Sequence, residues 1–101
     1  MRPTATRHHA EPNDADEALI MDIDLGILGA DRVRYDAYAE DVRKEYAHVA
    51  DDAFRKGRRE VLKTFLRRKT IYYTRHFQKL LEGKARKNME RELESLATGG
   101  N

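Results

Sequence analysis

The chain reads as all α, an antiparallel helical bundle of about four helices, and three observations carry that reading. Its only prolines, Pro3 and Pro12, lie near the start, so nothing after them forbids helix. Apolar residues then recur at three- and four-residue spacing in successive stretches, the period of one helix face. Aspartates stand just ahead of several of these stretches, where a short carboxylate can accept from the free amides of a helix start. A length of 101 residues suits one domain with a modest core.

Residues 1–14 are polar, with His8, His9, Pro12, Asn13 and Asp14, and read as a loop. Asp14 or Asp16 caps a first helix from about Ala15 to Leu28, and Gly29 is placed to end it. A second helix fits Asp31 to about His48, with Tyr35, Tyr38, Val42, Tyr46 and Val49 along one side and Arg34, Glu40, Asp41 and Lys44 mostly on the other. Asp51 or Asp52 caps a third helix to about Arg68, with Phe54, Val61, Leu62, Phe65 and Leu66 facing in. Gly57 is a weak helix residue there, and a close approach by a neighbouring backbone would explain it. After an irregular link at 69–74, Phe77, Leu81, Ala85, Met89, Leu93 and Leu96 mark a fourth helix of about twenty residues. The division is a loop at 1–14, a single helical domain at 15–97 and a disordered tail at 98–101.

The first helix departs from a simple amphipathic pattern. Leu19, Ile20, Ile23, Leu25, Ile27 and Leu28 cover most of its circumference, which describes a helix buried inside something larger than three partner helices. Two carboxylates, Asp22 and Asp24, interrupt this apolar run. An unpaired carboxylate in a core is costly, so a cation, an arginine or a set of donors is expected as partner. Two positions apart is roughly 200° around a helix, so the pair cannot share one ligand. The structural reading of each is a buried carboxylate that pairs with an arginine or caps a nearby helix.

Composition narrows the chemistry. The chain has no cysteine, which removes disulfides, thiolate nucleophiles and zinc-thiolate sites and leaves His, Asp and Glu as strong side-chain ligands. The apolar stretch Ala18 to Ala30 is too short to cross a bilayer, and Met1-Arg-Pro-Thr begins no signal-peptide pattern, so a soluble, cytoplasmic protein is expected. The net charge of +2 hides a split: residues 1–50 hold 6 Lys+Arg against 11 Asp+Glu, and residues 51–101 hold 14 against 7. Such halves either neutralise each other when packed or present a basic face to nucleic acid, and the first is the simpler reading. Arg55, Lys56, Arg58, Arg59, Lys63, Arg67, Arg68 and Lys69 spread round their helix without a phosphate loop or an aromatic platform, as on a solvated surface. Arg86 and Asn88 lie beside the apolar stripe of the last helix, where a hydrogen-bonded structural network is expected. His48 and His76 fall at helix ends, and His8 and His9 in the polar loop. Covalent catalysis has no support: there is no thiol and no serine elbow.

Several stretches together resemble a known family. They are Asp22-Ile-Asp24-Leu-Gly-Ile-Leu-Gly-Ala30, Tyr35-x-x-Tyr38, Val42-Arg43-Lys-Glu45-Tyr46, Gly57-Arg58-x-x-Val61-Leu62-x-x-Phe65-Leu66, Ile71-Tyr72 and Ala85-Arg86-x-Asn88. In order and spacing, from about Thr6 to Leu96, they resemble the C-terminal half of predicted metal-dependent phosphohydrolases of the HD superfamily. The resemblance implies an HD-domain-like helical fold in which a His, a His-Asp pair and a later Asp hold a divalent metal that activates water against a phosphate ester. It maps the late Asp onto Asp24 as metal ligand, and Thr6 to His9 onto a Thr-x-x-His segment that makes His9 a pocket residue. The family's other ligands precede the stretch matched here, and no His-Asp dipeptide occurs in the chain. One carboxylate with one His is too few for a catalytic metal site. The expectation is therefore a truncated or split enzyme, inactive alone, that self-associates or docks with a complementary N-terminal fragment. A second class stays open: a small helical interaction module that forms a homodimer through the first helix or binds nucleic acid through the basic half.

Overall fold

The structure, a computed structural model, describes residues 12–98. All regular structure in that range is helical: α1 (Ala15–Asp24), a 3-10 turn (Gly26–Gly29), α2 (Arg32–Glu45), α3 (Asp51–Arg67) and α4 (Arg75–Thr98). Of the expected division, His8 and His9 lie outside the described residues, as does the chain after Thr98.

The helix starts follow from their caps. Asp14 Oδ1 accepts from the Glu17 amide at 2.8 Å, and Glu17 Oε1 reaches back to the Asn13 amide at 2.7 Å, a reciprocal arrangement that satisfies two amides with no helical partner. Asp31 Oδ1 does the same for the Arg34 amide at 3.0 Å. At α3 the capping residue is Ala50 rather than an aspartate, and it gives no side-chain bond. Asp51 and Asp52 instead occupy the first turn, where their charge faces the positive end of the helix dipole.

The first helical segment differs from expectation. Continuous α-helix stops at Asp24, and the chain tightens into the 3-10 turn before Ala30. The expected end at Gly29 holds for the helical segment as a whole, but its cause is contact. A Cβ on Gly29 would lie 2.7 Å from the Leu81 Cβ and 3.1 Å from the Tyr72 hydroxyl, so only glycine lets this backbone lie on α4. Gly57 behaves in the opposite way. Around it a Cβ would meet nothing within 4 Å, so no neighbouring backbone accounts for it among the described residues.

The core gathers on the middle of α4. Ala85 and Met89 are fully buried there, against Leu28 of the 3-10 turn, Tyr35 of α2, Leu62 of α3, and Ile71 and Tyr72 of the link at 68–74. The 3-10 turn and α3 both pack on α4, whereas α2 and α3, joined by the short stretch 46–50, scarcely touch each other. The outer side of α1 is uncovered: Leu19 is 44% exposed, and Ile20 and Ile23 are each 59% exposed. A helix apolar nearly all round is thus buried on one side only by the described residues. No described helix is long and apolar enough to cross a membrane.

Candidate functional site

The two aspartates of the apolar run have opposite fates. Asp22 is fully buried. Its Oδ1 accepts from the Tyr73 amide at 2.8 Å, and its Oδ2 accepts from the Thr74 amide and the Thr74 hydroxyl, both at 2.7 Å. Thr74 Oγ1 in turn accepts from the Phe77 amide at 3.3 Å and so caps α4. Asp22 is therefore the carboxylate that fastens α1 to the start of α4, next to the positive end of that helix, and its acceptor capacity is spent on main chain and Thr74.

Other buried polar groups at this end are held by equally specific bonds, except that Arg68 Nη2 is buried with no hydrogen-bond partner among the described residues, its guanidinium lying 4.9 Å over the Tyr73 ring. Glu82 accepts from the Ile71 amide at 2.8 Å and the Tyr72 amide at 3.2 Å, and pairs with Arg86 Nε at 2.9 Å. Arg86 donates to the Leu66 carbonyl at 3.0 Å and the Arg68 carbonyl at 2.8 Å, which closes the C-terminal end of α3. Asn88 Nδ2 donates to the Leu28 and Ala30 carbonyls at 2.9 and 2.8 Å and holds the 3-10 turn. The Tyr72 hydroxyl donates to the Leu25 carbonyl at 2.9 Å; burial first, then the nearby Glu82 and Asp22 charges, push its pKa up to about 12. The expected structural network at Arg86 and Asn88 is thus present, and it takes in Glu82, Tyr72 and Asp22.

Asp24 stands outside this network. It closes α1 at an exposed position and makes no hydrogen bond or ion pair among the described residues. It borders a recess of about 190 Å³ whose apolar wall includes Leu25, Val61 and Phe65, and whose other polar residues are Tyr38 and Arg58.

Arg58 is a correction to the solvated-surface expectation. Its side chain is 8% exposed and that of its partner Glu92 is 12% exposed. Nε meets Glu92 Oε2 at 2.7 Å and Nη2 meets Oε1 at 3.0 Å, a two-pronged pair to which the Tyr35 hydroxyl adds a third bond on Glu92. Burial alone would lower the Arg58 pKa, but the Glu92 hydrogen bonds and charge outweigh it and hold the guanidinium protonated. Burial and the bond to Glu92 raise the Tyr35 pKa above its ordinary value. The remaining terminal nitrogen, Nη1, has no partner among the described residues. Arg55 also leaves the surface, donating to the Leu96 carbonyl at 2.7 Å, while Lys56, Arg67 and Lys69 are exposed as expected.

Sequence reasoning passed over the Arg58–Glu92 pair, although a signal existed. Arg58 lies one turn from both Phe54 and Leu62, and Glu92 between Met89 and Leu96, so both fall on apolar faces.

Among the described residues no group of three or more His, Cys, Asp or Glu side chains could hold a metal ion. Asp24 thus offers one ligand and not a site, and no catalytic step follows from these residues alone. His9, expected beside it, lies outside the described residues. His48 and His76 are exposed near helix ends and do not approach the recess. The recess can hold a ligand with a cationic group against Asp24 and a hydrogen-bond acceptor against Arg58. No family model, curated protein or solved structure matches the chain.

Proposed function

We propose that this chain supplies the later part of an HD-type metal-dependent phosphohydrolase, with Asp24 as its contribution to a divalent-metal site that a further polypeptide segment completes. The resemblance to the HD superfamily gives this reading its content. The observation that supports it most is the division of labour between neighbouring carboxylates: Asp22 is saturated by three donors, while Asp24, two residues on, is exposed, unbonded among the described residues and beside a buried arginine. The bare Leu19, Ile20 and Ile23 side of α1 suits a surface on which the completing segment packs.

The self-pairing alternative has a charge argument against it. No Lys or Arg occurs between Arg7 and Arg32, so packing α1 against its own copy sets Asp16 and Asp24 against like charges. Binding of nucleic acid through the basic half is disfavoured by the engagement of Arg58, Arg86 and Arg91 with Glu92, Glu82 and Asp36.

The test is reconstitution. The purified chain, alone with Mn²⁺ and a generic phosphate monoester, is expected to give no turnover. Mixed with a separately expressed N-terminal half of an HD-superfamily enzyme that carries the His and His-Asp ligands, it is expected to give metal-dependent hydrolysis that Asp24→Ala abolishes. Hydrolysis that survives Asp24→Ala removes the ligand assignment, and failure to hydrolyse by a mixture that forms a stable complex removes the functional reading.

A further inference from the structure

We propose that the bare side of α1 is a docking surface for one basic amphipathic helix of a partner protein. This deepens the function proposed above by giving the completing segment a chemistry, and it rests on that reading for the identity of the segment alone. Leu19, Ile20 and Ile23 are exposed together on this side. Helical geometry sets Ile20, Asp16 and Ile23 roughly 160°, 120° and 100° round from Asp22, whose carboxylate meets the start of α4, so the strip lies away from α4.

Charge selects the occupant. Between Arg7 and Arg32 the chain carries seven acidic residues and no Lys or Arg. Asp14, Asp22 and Asp31 are engaged with main-chain amides. Asp16 and Asp24 are exposed at the two ends of the apolar strip, without a hydrogen bond or ion pair among the described residues. The metal reading claims Asp24, so Asp16 is the carboxylate left to read a partner's charge. A Lys or Arg brought in by the occupant complements it.

Other occupants fit less well. A second copy brings like charges to both ends of the strip. Anionic lipid surfaces attract helices whose polar face is basic, and this one is acidic. The chain's own residues 1–11 contain one large apolar side chain, Met1, which is too little to cover three. A strand gains nothing here, because the main chain of a helix offers no free edge to pair with. A helix does: Leu19 with Ile23 and Ile20 with Ile23, four and three residues apart, form the ridges between which another helix seats its side chains. The ten residues of α1 span about 15 Å, which about three turns of a partner cover, with apolar residues at three- and four-residue spacing and Lys or Arg where it passes Asp16.

The test uses two fluorescein-labelled peptides, each about 18 residues long to favour helix, that share one leucine stripe and differ in flanks of lysine or of glutamate. The full chain is titrated into each with a chelator present, and fluorescence anisotropy is followed. The lysine peptide is expected to bind saturably and at least tenfold tighter than the glutamate peptide, a preference that shrinks in about 0.5 M salt. Ile20→Ser combined with Ile23→Ser, both at exposed positions, is expected to weaken the lysine peptide at least tenfold while the melting temperature holds. Asp16→Lys is expected to weaken the lysine peptide at least threefold and to tighten the glutamate peptide, whereas Tyr46→Ser, beyond the far end of α2, leaves both within twofold. The proposal falls if the lysine peptide does not bind saturably or binds no tighter than the glutamate peptide. It falls equally if the isoleucine pair or Asp16→Lys changes nothing, or if Tyr46→Ser weakens binding as much as the isoleucine pair does. A chain that sediments as a dimer, and as a monomer once Ile20 and Ile23 are replaced, overturns it in favour of a second copy. No arm uses metal or turnover, so failed peptide binding beside successful reconstitution removes the docking surface alone, and the reverse result removes the HD-type reading and leaves the surface.

Discussion

The two ends of this molecule solve the same problem in opposite ways. Where α1, the 3-10 turn and the link at 68–74 meet α4, helices are joined by side chains that terminate on main chain: Asp22 on Tyr73 and Thr74, Glu82 on Ile71 and Tyr72, Arg86 on Leu66 and Arg68, Asn88 on Leu28 and Ala30. Where α2 meets α3 there is little direct packing, and the helices are tied through α4 by the Arg58–Glu92–Tyr35 cluster. The first end is closed because every orphaned amide and carbonyl near a chain reversal needs a partner, and a buried carboxylate or guanidinium supplies several at once. The second end is looser: α2 and α3 meet through side chains such as Tyr38 with Arg58 and Arg43 with Phe54 and Asp51, and each is held separately to Glu92 of α4. Most polar groups at the closed end are consumed in structural bonds, Arg68 Nη2 excepted, whereas the Asp24 carboxylate is left over among the described residues.

Four substitutions sharpen or break this contrast. Asp22→Ala removes three charge-assisted hydrogen bonds and strands the Tyr73 and Thr74 donors in a buried site, at an expected cost of about 4 kcal/mol in denaturant unfolding. A loss below about 1 kcal/mol would mean that the closed end is not what holds α1 to α4. Gly29→Ala drives a methyl against Leu81 and the Tyr72 hydroxyl, for an expected loss of about 2 kcal/mol by the same measurement. Gly57→Ala carries the opposite sign: with no neighbour to meet, the gain in helix propensity is expected to stabilise the chain by about 1 kcal/mol. Destabilisation would reveal a contact at the open side. Asp24→Asn, at an exposed position unbonded among the described residues, is expected to change stability by less than about 0.5 kcal/mol, and a thermal melt that shifts by many degrees would give it a structural role like that of Asp22.

Much of the closed end was legible in the residues, but only as a requirement. The apolar run around Asp22 showed that a buried carboxylate needed donors, and helical geometry showed that Asp22 and Asp24 could not share them. That the donors were Tyr73 and Thr74 was not legible, because they come from a link 51 and 52 residues away in the chain. Arg86 and Asn88 were recognisable as network residues from their place beside the apolar stripe. Arg58 was not, because it stands in a series with seven other bases that obscures the face it occupies. Gly57 was expected at a close backbone approach and stands at open space, whereas Gly29, expected only as a helix end, is where the close approach occurs.

By itself the sequence determined the local physics: four helices, three of them begun at or beside an aspartate, no thiol chemistry, and an apolar first helix that demands cover. These depend on spacing and short-range hydrogen bonding, which a stretch of ten or twenty residues already contains. Only the tertiary structure decided which of two similar carboxylates is consumed and which is left over. That choice depends on what crosses the gap from distant segments, and Asp22 faces the Tyr73 and Thr74 amides at the start of α4 while Asp24 faces a recess.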